Sequence, residues 1–335
     1  MTRDGTSDAP GRVCPVHYRY RPGELARAPR VRADTVWVVG GLYGNLEALH
    51  AIRSQVEAER ATGGRVALVF NGDFHWFDAD PDDYLAVQRA VEAERAIAGN
   101  VELELSQPAS GAGCGCAYPG FVDDATVDRS NRIIERLRTN VNEVRGLRDA
   151  LAGLPRLLRL VVGGAITGVI HGDPESVAGW RFAFESITDP ARPLSAAQVR
   201  AWADESGVDA FACSHTCLPW AASFGDIVVI NNGSAGMPNF SGDPRVLVTR
   251  IAGDGSRHAD SLYAIERSGV CWEAVAVTYD VEAWLQRFRR TWPPWSPAYE
   301  SYHGRMTRGP EHDLAAVVAL ANAHSKRGRS RMALT

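Results

Sequence analysis

Residues 65–78 read Arg65-Val66-Ala67-Leu68-Val69-Phe70-Asn71-Gly72-Asp73-Phe74-His75-Trp76-Phe77-Asp78. From Val66 to Phe70 polar and apolar residues do not alternate, which is the pattern of a strand buried on both faces of a parallel sheet. Such a strand surfaces at the carboxyl end of its sheet, the edge at which open α/β sheets bind ligands. Gly72 lets the backbone turn there. The carboxylate of Asp73 is thereby delivered to that edge, where it can hold a cation. His75, on the same loop, either adds a ligand or a proton donor or is a loop histidine beside Trp76.

Toward the N-terminus, residues 34–39 (DTVWVV) form another strand, which breaks at Gly40-Gly41 before Leu42-Tyr43-Gly44-Asn45. Leu46, Leu49, Ile52 and Val56 then fall at helical spacing, which makes a β-loop-α unit. Its glycine-rich turn fits neither the spaced dinucleotide fingerprint nor a phosphate-binding loop, because no Gly-Lys-Ser/Thr follows. Toward the C-terminus a Pro-Asp turn at 81–83 leads into a helix over 84–98. That helix ends at Gly99-Asn100, a pair suited to a left-handed cap, so Asn100 alone reads as a helix stop. Residues 106–120 are a loop carrying Cys114-Gly115-Cys116, either two surface thiols or a pair with an accessory role near the site. An amphipathic helix over 123–151 is expected to cover the sheet.

Residues 157–162 and 166–170 read as a hairpin around Gly163-Gly164. Its second strand ends in His171-Gly172-Asp173. Residues 210–213 end in Ser214-His215-Thr216-Cys217, and 227–230 end in Asn231-Asn232-Gly233-Ser234. Asp73, Asn100, His171 and His215 therefore recur at equivalent strand ends, and we read them as one cluster. A hairpin over 261–266 and 271–277 and a helix over 281–291 follow. Beyond Ser296 the chain is Pro-rich, with a short helix over 314–323 and a basic, solvated end at 326–331.

The 335 residues carry a formal charge of −4, from 36 Lys and Arg against 40 Asp and Glu. The basic residues are scattered except at the end, so no footprint for nucleic acid exists. The start of the chain has no apolar signal segment and no later run approaches about 18 apolar residues, which predicts a cytoplasmic protein with no membrane span. Six cysteines in a chain of this length are too few for a disulfide scaffold. No repeat or long linker divides the chain. The expected organisation is an N-terminal arm (1–33), one domain (34–292) and a C-terminal extension (293–335).

The strand-end residues resemble the calcineurin-like metallophosphoesterase superfamily, over roughly residues 34–285. Gly41-Leu42-Tyr43-Gly44-Asn45 stands at the family's Asp-x-His-Gly-Asn motif, Gly72-Asp73 at Gly-Asp, and Gly99-Asn100-Val101-Glu102 at Gly-Asn-His-Asp/Glu. His171-Gly172 stands at the lone His, and Ser214-His215-Thr216-Cys217 at Gly-His-x-His. The resemblance implies an α/β fold of two packed mixed β-sheets flanked by helices, with the motif loops meeting at one edge. It implies metal ligands at Asp73, Asn100, His171 and His215, with Asn100 and His215 also acting in catalysis. The other metal site has lost most of its usual ligands, since Gly41, Tyr43 and Cys217 replace them. Tyr43 and Cys217 could rebuild that site as a softer set with Asp73. Val101 replaces the histidine that assists the leaving group, and His75 is the candidate to take over that task. The implied function is a metal-dependent phosphoester hydrolase with one or two transition metals (manganese, zinc or iron) and a small phosphorylated or nucleotide substrate. The alternative is an impaired enzyme that binds a phosphorylated ligand or a partner protein.

Overall fold

In the computed structural model, residues 9–188 and 193–329 are described, with side chains through residue 323. Among the described residues, twelve strands build two six-stranded mixed sheets. One runs in the order β1 (Arg30–Arg32), β5 (Leu157–Val162), β6 (Ala165–Ile170), β7 (Ala210–Cys213), β9 (Ile227–Asn231) and β8 (Trp220–Phe224). The other runs β11 (Ser261–Arg267), β12 (Val270–Val277), β10 (Val246–Ala252), β2 (Thr35–Val39), β3 (Val66–Asn71) and β4 (Arg95–Ile97). In the second sheet β2, β3 and β4 are parallel, with Val38 opposite Val69 and Phe70 opposite Ala96.

The unbroken apolar runs are explained by which core each side chain enters. Val36, Val38 and Val69 lie in the core between the sheets with Leu158, Val169 and Phe211. Trp37, Val39, Leu68 and Phe70 lie in the layer that packs against helices. Both faces of β2 and β3 are thus covered, as the missing alternation requires.

The helices are α1 (Pro22–Leu25), α2 (Leu46–Arg60), α3 (Pro81–Glu92), α4 (Asn100–Ser106), α5 (Asp124–Glu143), α6 (Leu147–Ala152), α7 (Phe184–Thr188), α8 (Ala196–Ser206), α9 (Val281–Thr291), α10 (Pro297–Arg308) and α11 (Leu314–Arg329). No described helix is long and apolar enough to cross a membrane.

Several boundaries differ from the sequence reading. The helix expected over 84–98 starts at Pro81, capped by the Asp80 side chain, and stops at Glu92; edge strand β4 follows. Asn100 therefore opens a helix instead of ending one, with Gly99 at the N-cap and the Glu102 carboxylate accepting the Gly99 N–H at 2.8 Å. The helix expected over 123–151 is two, separated at Gly146, whose φ of +83° is left-handed. α5 packs on α4 and α10, and its Ile133, Ile134 and Leu137 lie in the same core as Leu68 and Phe70 of β3. Strands β1, β8 and β10 and helices α8 and α10 had no counterpart in the sequence reading. Part of the basic end at 326–331 lies outside the described residues.

Candidate metal centre at the carboxyl edge of the sheets

β3, β6 and β7 end side by side, and their loops converge because glycines let backbones touch. A Cβ at Gly99 would collide with Asp73 Oδ1 and press on His171, and one at Gly72 would collide with the Gly99 backbone. The Glu102 carboxylate ties these loops together, accepting the N–H of Asp73 at 2.8 Å, Phe74 at 3.2 Å and Gly99 at 2.8 Å. Burial, reinforced by the Asp73 charge, pushes Glu102 up to about 7.

Asp73, His171 and His215 are all buried, and their ligand atoms lie within 4.8 Å of one another. Asp73 Oδ2 is 3.2 Å from His171 Nε2, which is 3.3 Å from His215 Nδ1. Asp73 Oδ1 accepts the Val101 N–H at 3.1 Å. The His171 ring is oriented from behind, its Nδ1 lying 2.8 Å from the Asn71 carbonyl and 3.3 Å from Ser214 Oγ. His215 Nε2 lies 3.2 Å from the Cys116 carbonyl. Burial works against charge on each group. For Asp73 the His171 imidazole outweighs burial and holds the carboxyl below its ordinary range, while Asp73 in turn raises His171. For His215 burial dominates, with His171 adding to it, and the ring is lowered to about 3. A neutral imidazole keeps a lone pair for a cation.

Asn100 stands in the same cavity. Its Nδ2 donates to the Cys114 carbonyl at 3.2 Å and toward Cys116 Sγ at 3.6 Å, whereas its Oδ1 is buried without a partner. A buried carbonyl oxygen left without a donor costs roughly 1–3 kcal/mol, and a bound cation would relieve that cost. The residues present therefore fit an O,N-ligated transition metal.

Tyr43 and Cys217 also line the cavity, but Tyr43 OH and Cys217 Sγ hydrogen-bond to each other at 2.8 Å, and Cys217 stays outside the close ligand set. Burial raises both groups above their ordinary values. Cys114 and Cys116 are buried and not surface thiols. Cys116 faces the cavity; burial, with the neighbouring Cys114, raises its thiol. The expectation for His75 needs correction. The ring is fully buried, stacked on Tyr84 at 3.6 Å, with Nδ1 2.6 Å from Asp78 and Nε2 3.0 Å from Gln88. With both nitrogens engaged away from the cavity, His75 can neither ligate nor donate there.

The cavity has a volume of about 170 Å3 and opens to the surface. Sequence reading missed much of its wall, namely Trp76, Tyr118, Trp180, Met237, Tyr302 and Arg305. Trp180 stands edge-on to His215 at 5.4 Å and donates its Nε1 hydrogen to the Cys116 carbonyl. Tyr302 and Arg305 come from α10. Tyr43, Asp73 and Cys217 take left-handed φ of +54°, +52° and +60°, and Ala117, next to Cys116, takes +49°. Such strain persists where the surroundings impose it, characteristically at binding sites.

No protein-family model and no curated protein matches the sequence. Solved structures do match. A hypothetical protein from Pyrococcus horikoshii OT3 aligns over 84% of this chain and 100% of its own, with 14% identity and a TM-score of 0.55. A metallophosphoesterase from Sphaerobacter thermophilus aligns over 83% and 100%, with 16% identity and a TM-score of 0.49. A putative diadenosine tetraphosphatase aligns over 74% and 98%, with 14% identity and a TM-score of 0.41. With its two six-stranded mixed sheets, the chain shares the fold of the Pyrococcus horikoshii protein. At these identities the likeness is one of fold alone.

Proposed function

We propose that the protein is a metal-dependent phosphoester hydrolase with a modified metal centre, acting on a small phosphorylated or nucleotide substrate. The observation that carries this reading is the convergence of Asp73, His171 and His215 beside the unpartnered Asn100 Oδ1. Four donors of two oxygens and two imidazole nitrogens suit zinc, manganese or iron. A cation held there supplies Lewis acidity toward a phosphoryl oxygen and lowers the pKa of water.

The chain's own groups do the rest. Asn71 O and Ser214 Oγ hold the His171 ring in place, as partners behind a ligating histidine do. Glu102 fixes the backbone that carries Asp73 and Asn100. The aromatic wall of Trp180, Tyr118 and Tyr302 limits water. Val101 faces the cavity where a proton donor would help a leaving oxygen depart, and valine has no proton to give. Turnover should therefore favour esters whose leaving group needs no protonation. Tyr43 and Cys217, bonded to each other, support one cation in preference to two.

Val101 also favours the second reading, an impaired enzyme that binds a phosphorylated ligand. Assays of phosphomonoesters, phosphodiesters and dinucleoside polyphosphates on protein loaded with manganese, zinc or iron separate the two. The hydrolase turns over at least one activated ester, with loss of activity in Asp73→Asn. No turnover across that panel at full metal occupancy leaves only the binding role.

A further inference from the structure

Among the described residues, the one cationic side chain in the cavity wall is Arg305, from the last turns of α10. Its Nη2 donates to the Cys217 carbonyl at 2.7 Å and its Nε to the Pro238 carbonyl at 3.3 Å. Two carbonyls thus aim the guanidinium without neutralising it. Among the described residues no carboxylate lies within ion-pair distance of Arg305, and Nη1 makes no hydrogen bond to protein. The contrast with Arg287, whose guanidinium reaches Glu47 at 2.8 Å and Asp83 at 2.6 Å, is one of purpose. A guanidinium that is anchored, uncompensated and set in a cavity wall is arranged for an anion.

That anion shares the cavity with the Asp73–His171–His215 group. We infer that Arg305 binds the non-bridging oxygens of the substrate's phosphoryl group and makes the site selective for phosphomonoesters over phosphodiesters. The inference rests on the hydrolase or phosphate-binding reading of this site, and specifies its substrate class. A monoester has three non-bridging oxygens, so one can face a cation while two remain for the planar fork of a guanidinium. A diester has two, which leaves one for Arg305. Charge points the same way, since a monoester carries close to two negative charges at neutral pH and a diester one.

The test is calorimetric binding of inorganic phosphate and of dimethyl phosphate to the full-length, metal-loaded protein and its Arg305 variants, with bound metal and melting temperature measured alongside. Loss of a charge-assisted contact weakens phosphate binding roughly 10–100-fold in Arg305→Ala. Arg305→Lys, which keeps a point charge without the fork, recovers part of that loss. Dimethyl phosphate binds the native protein more weakly and loses less in Arg305→Ala, and metal content is unchanged in every variant. Should Arg305→Ala fail to fold, Arg305→Gln retains an N–H for the Cys217 carbonyl and carries the same expectation. Equal phosphate affinity in native and variant proteins, no phosphate binding by the native protein, or dimethyl phosphate bound as tightly as phosphate overturns the inference. Arg305-dependent phosphate binding without turnover of any ester would uphold it and remove only the hydrolase.

Discussion

The two ends of the second sheet treat buried charge in opposite ways. Where β2 and β3 begin, Arg250 reaches Glu59 at 2.7 Å, Glu273 at 2.6 Å and the Ser256 carbonyl at 3.2 Å, and Trp37 Nε1 also donates to Glu59. Each charge there has its partner. Where the same strands end, Asp73, His171 and His215 converge on one another and Asn100 Oδ1 has none. The wider opening belongs to the first end, about 850 Å3 against about 170 Å3. Size is therefore a poor guide here, and the convergence of ligand atoms beside an oxygen without a partner is the better one. Charges paired within one region close the structure; ligand atoms gathered in a cavity beside an oxygen without a partner await something from outside it.

Exchanging one residue at each end would sharpen this contrast. Asp73→Asn removes the carboxylate common to every metal arrangement considered, and steady-state assays should show a loss of turnover beyond the roughly 10–100-fold typical of outer-shell partners. Full activity in that variant would erase the distinction between the ends. Arg250→Met leaves Glu273, whose side chain is fully buried, without its cation. Breaking such a pair costs about 3–5 kcal/mol, to be seen in denaturant unfolding, while bound metal per folded chain stays as in the native protein.

A smaller effect is expected from Val101→His. The new ring should raise hydrolysis of an ester with a poor leaving group relative to an activated aryl phosphate, by a factor on the order of ten. A fully positioned acid gives roughly 10²–10⁴, more than a ring introduced without partners chosen to orient it. An equal change for both esters would mean that protonation does not limit the rate.

The smallest effect concerns pH at the paired end. Burial alone would raise Glu59, but hydrogen bonds from Arg250 and Trp37 outweigh it and hold the carboxyl below its ordinary 4.5. The unfolded chain then binds that proton more tightly than the folded one. The stabilisation is present above pH 4.5 and is lost as pH falls through the folded value. Urea midpoints measured down that range should fall more steeply for the native protein than for Arg250→Met, and parallel curves would count against the pairing.

The candidate site was legible where a residue follows an apolar strand. Asp73, His171 and His215 each stand just past β3, β6 or β7, so strand patterning located them without any contact information. Asn100 was harder, because Gly99-Asn100 looks like a helix cap and the short β4 before it is masked by the charged Glu92, Glu94 and Arg95. His75 misled for the opposite reason: proximity in sequence to Asp73 placed it on the right loop, and only the fold shows its ring turned toward Asp78 and Gln88. Strand β10 was missed because Thr249 and Arg250 interrupt its apolar run, and the partners that make Arg250 tolerable come from residues 59 and 273. Pro297 looked like a continuation of irregular chain but occupies the first turn of α10, where a missing N–H costs nothing. Tyr302 and Arg305 came with that helix, and no local motif announces that a segment so far along the chain completes the cavity.

The central claim is that Asp73, Asn100, His171 and His215 hold a metal ion, and elemental analysis of the purified protein, counted per chain, tests it most directly. The account predicts at least one tightly held transition metal in the native protein, and a clear fall in His171→Ala and in His215→Ala while both remain folded. A native protein without transition metal, or metal content unchanged in both variants, would contradict it.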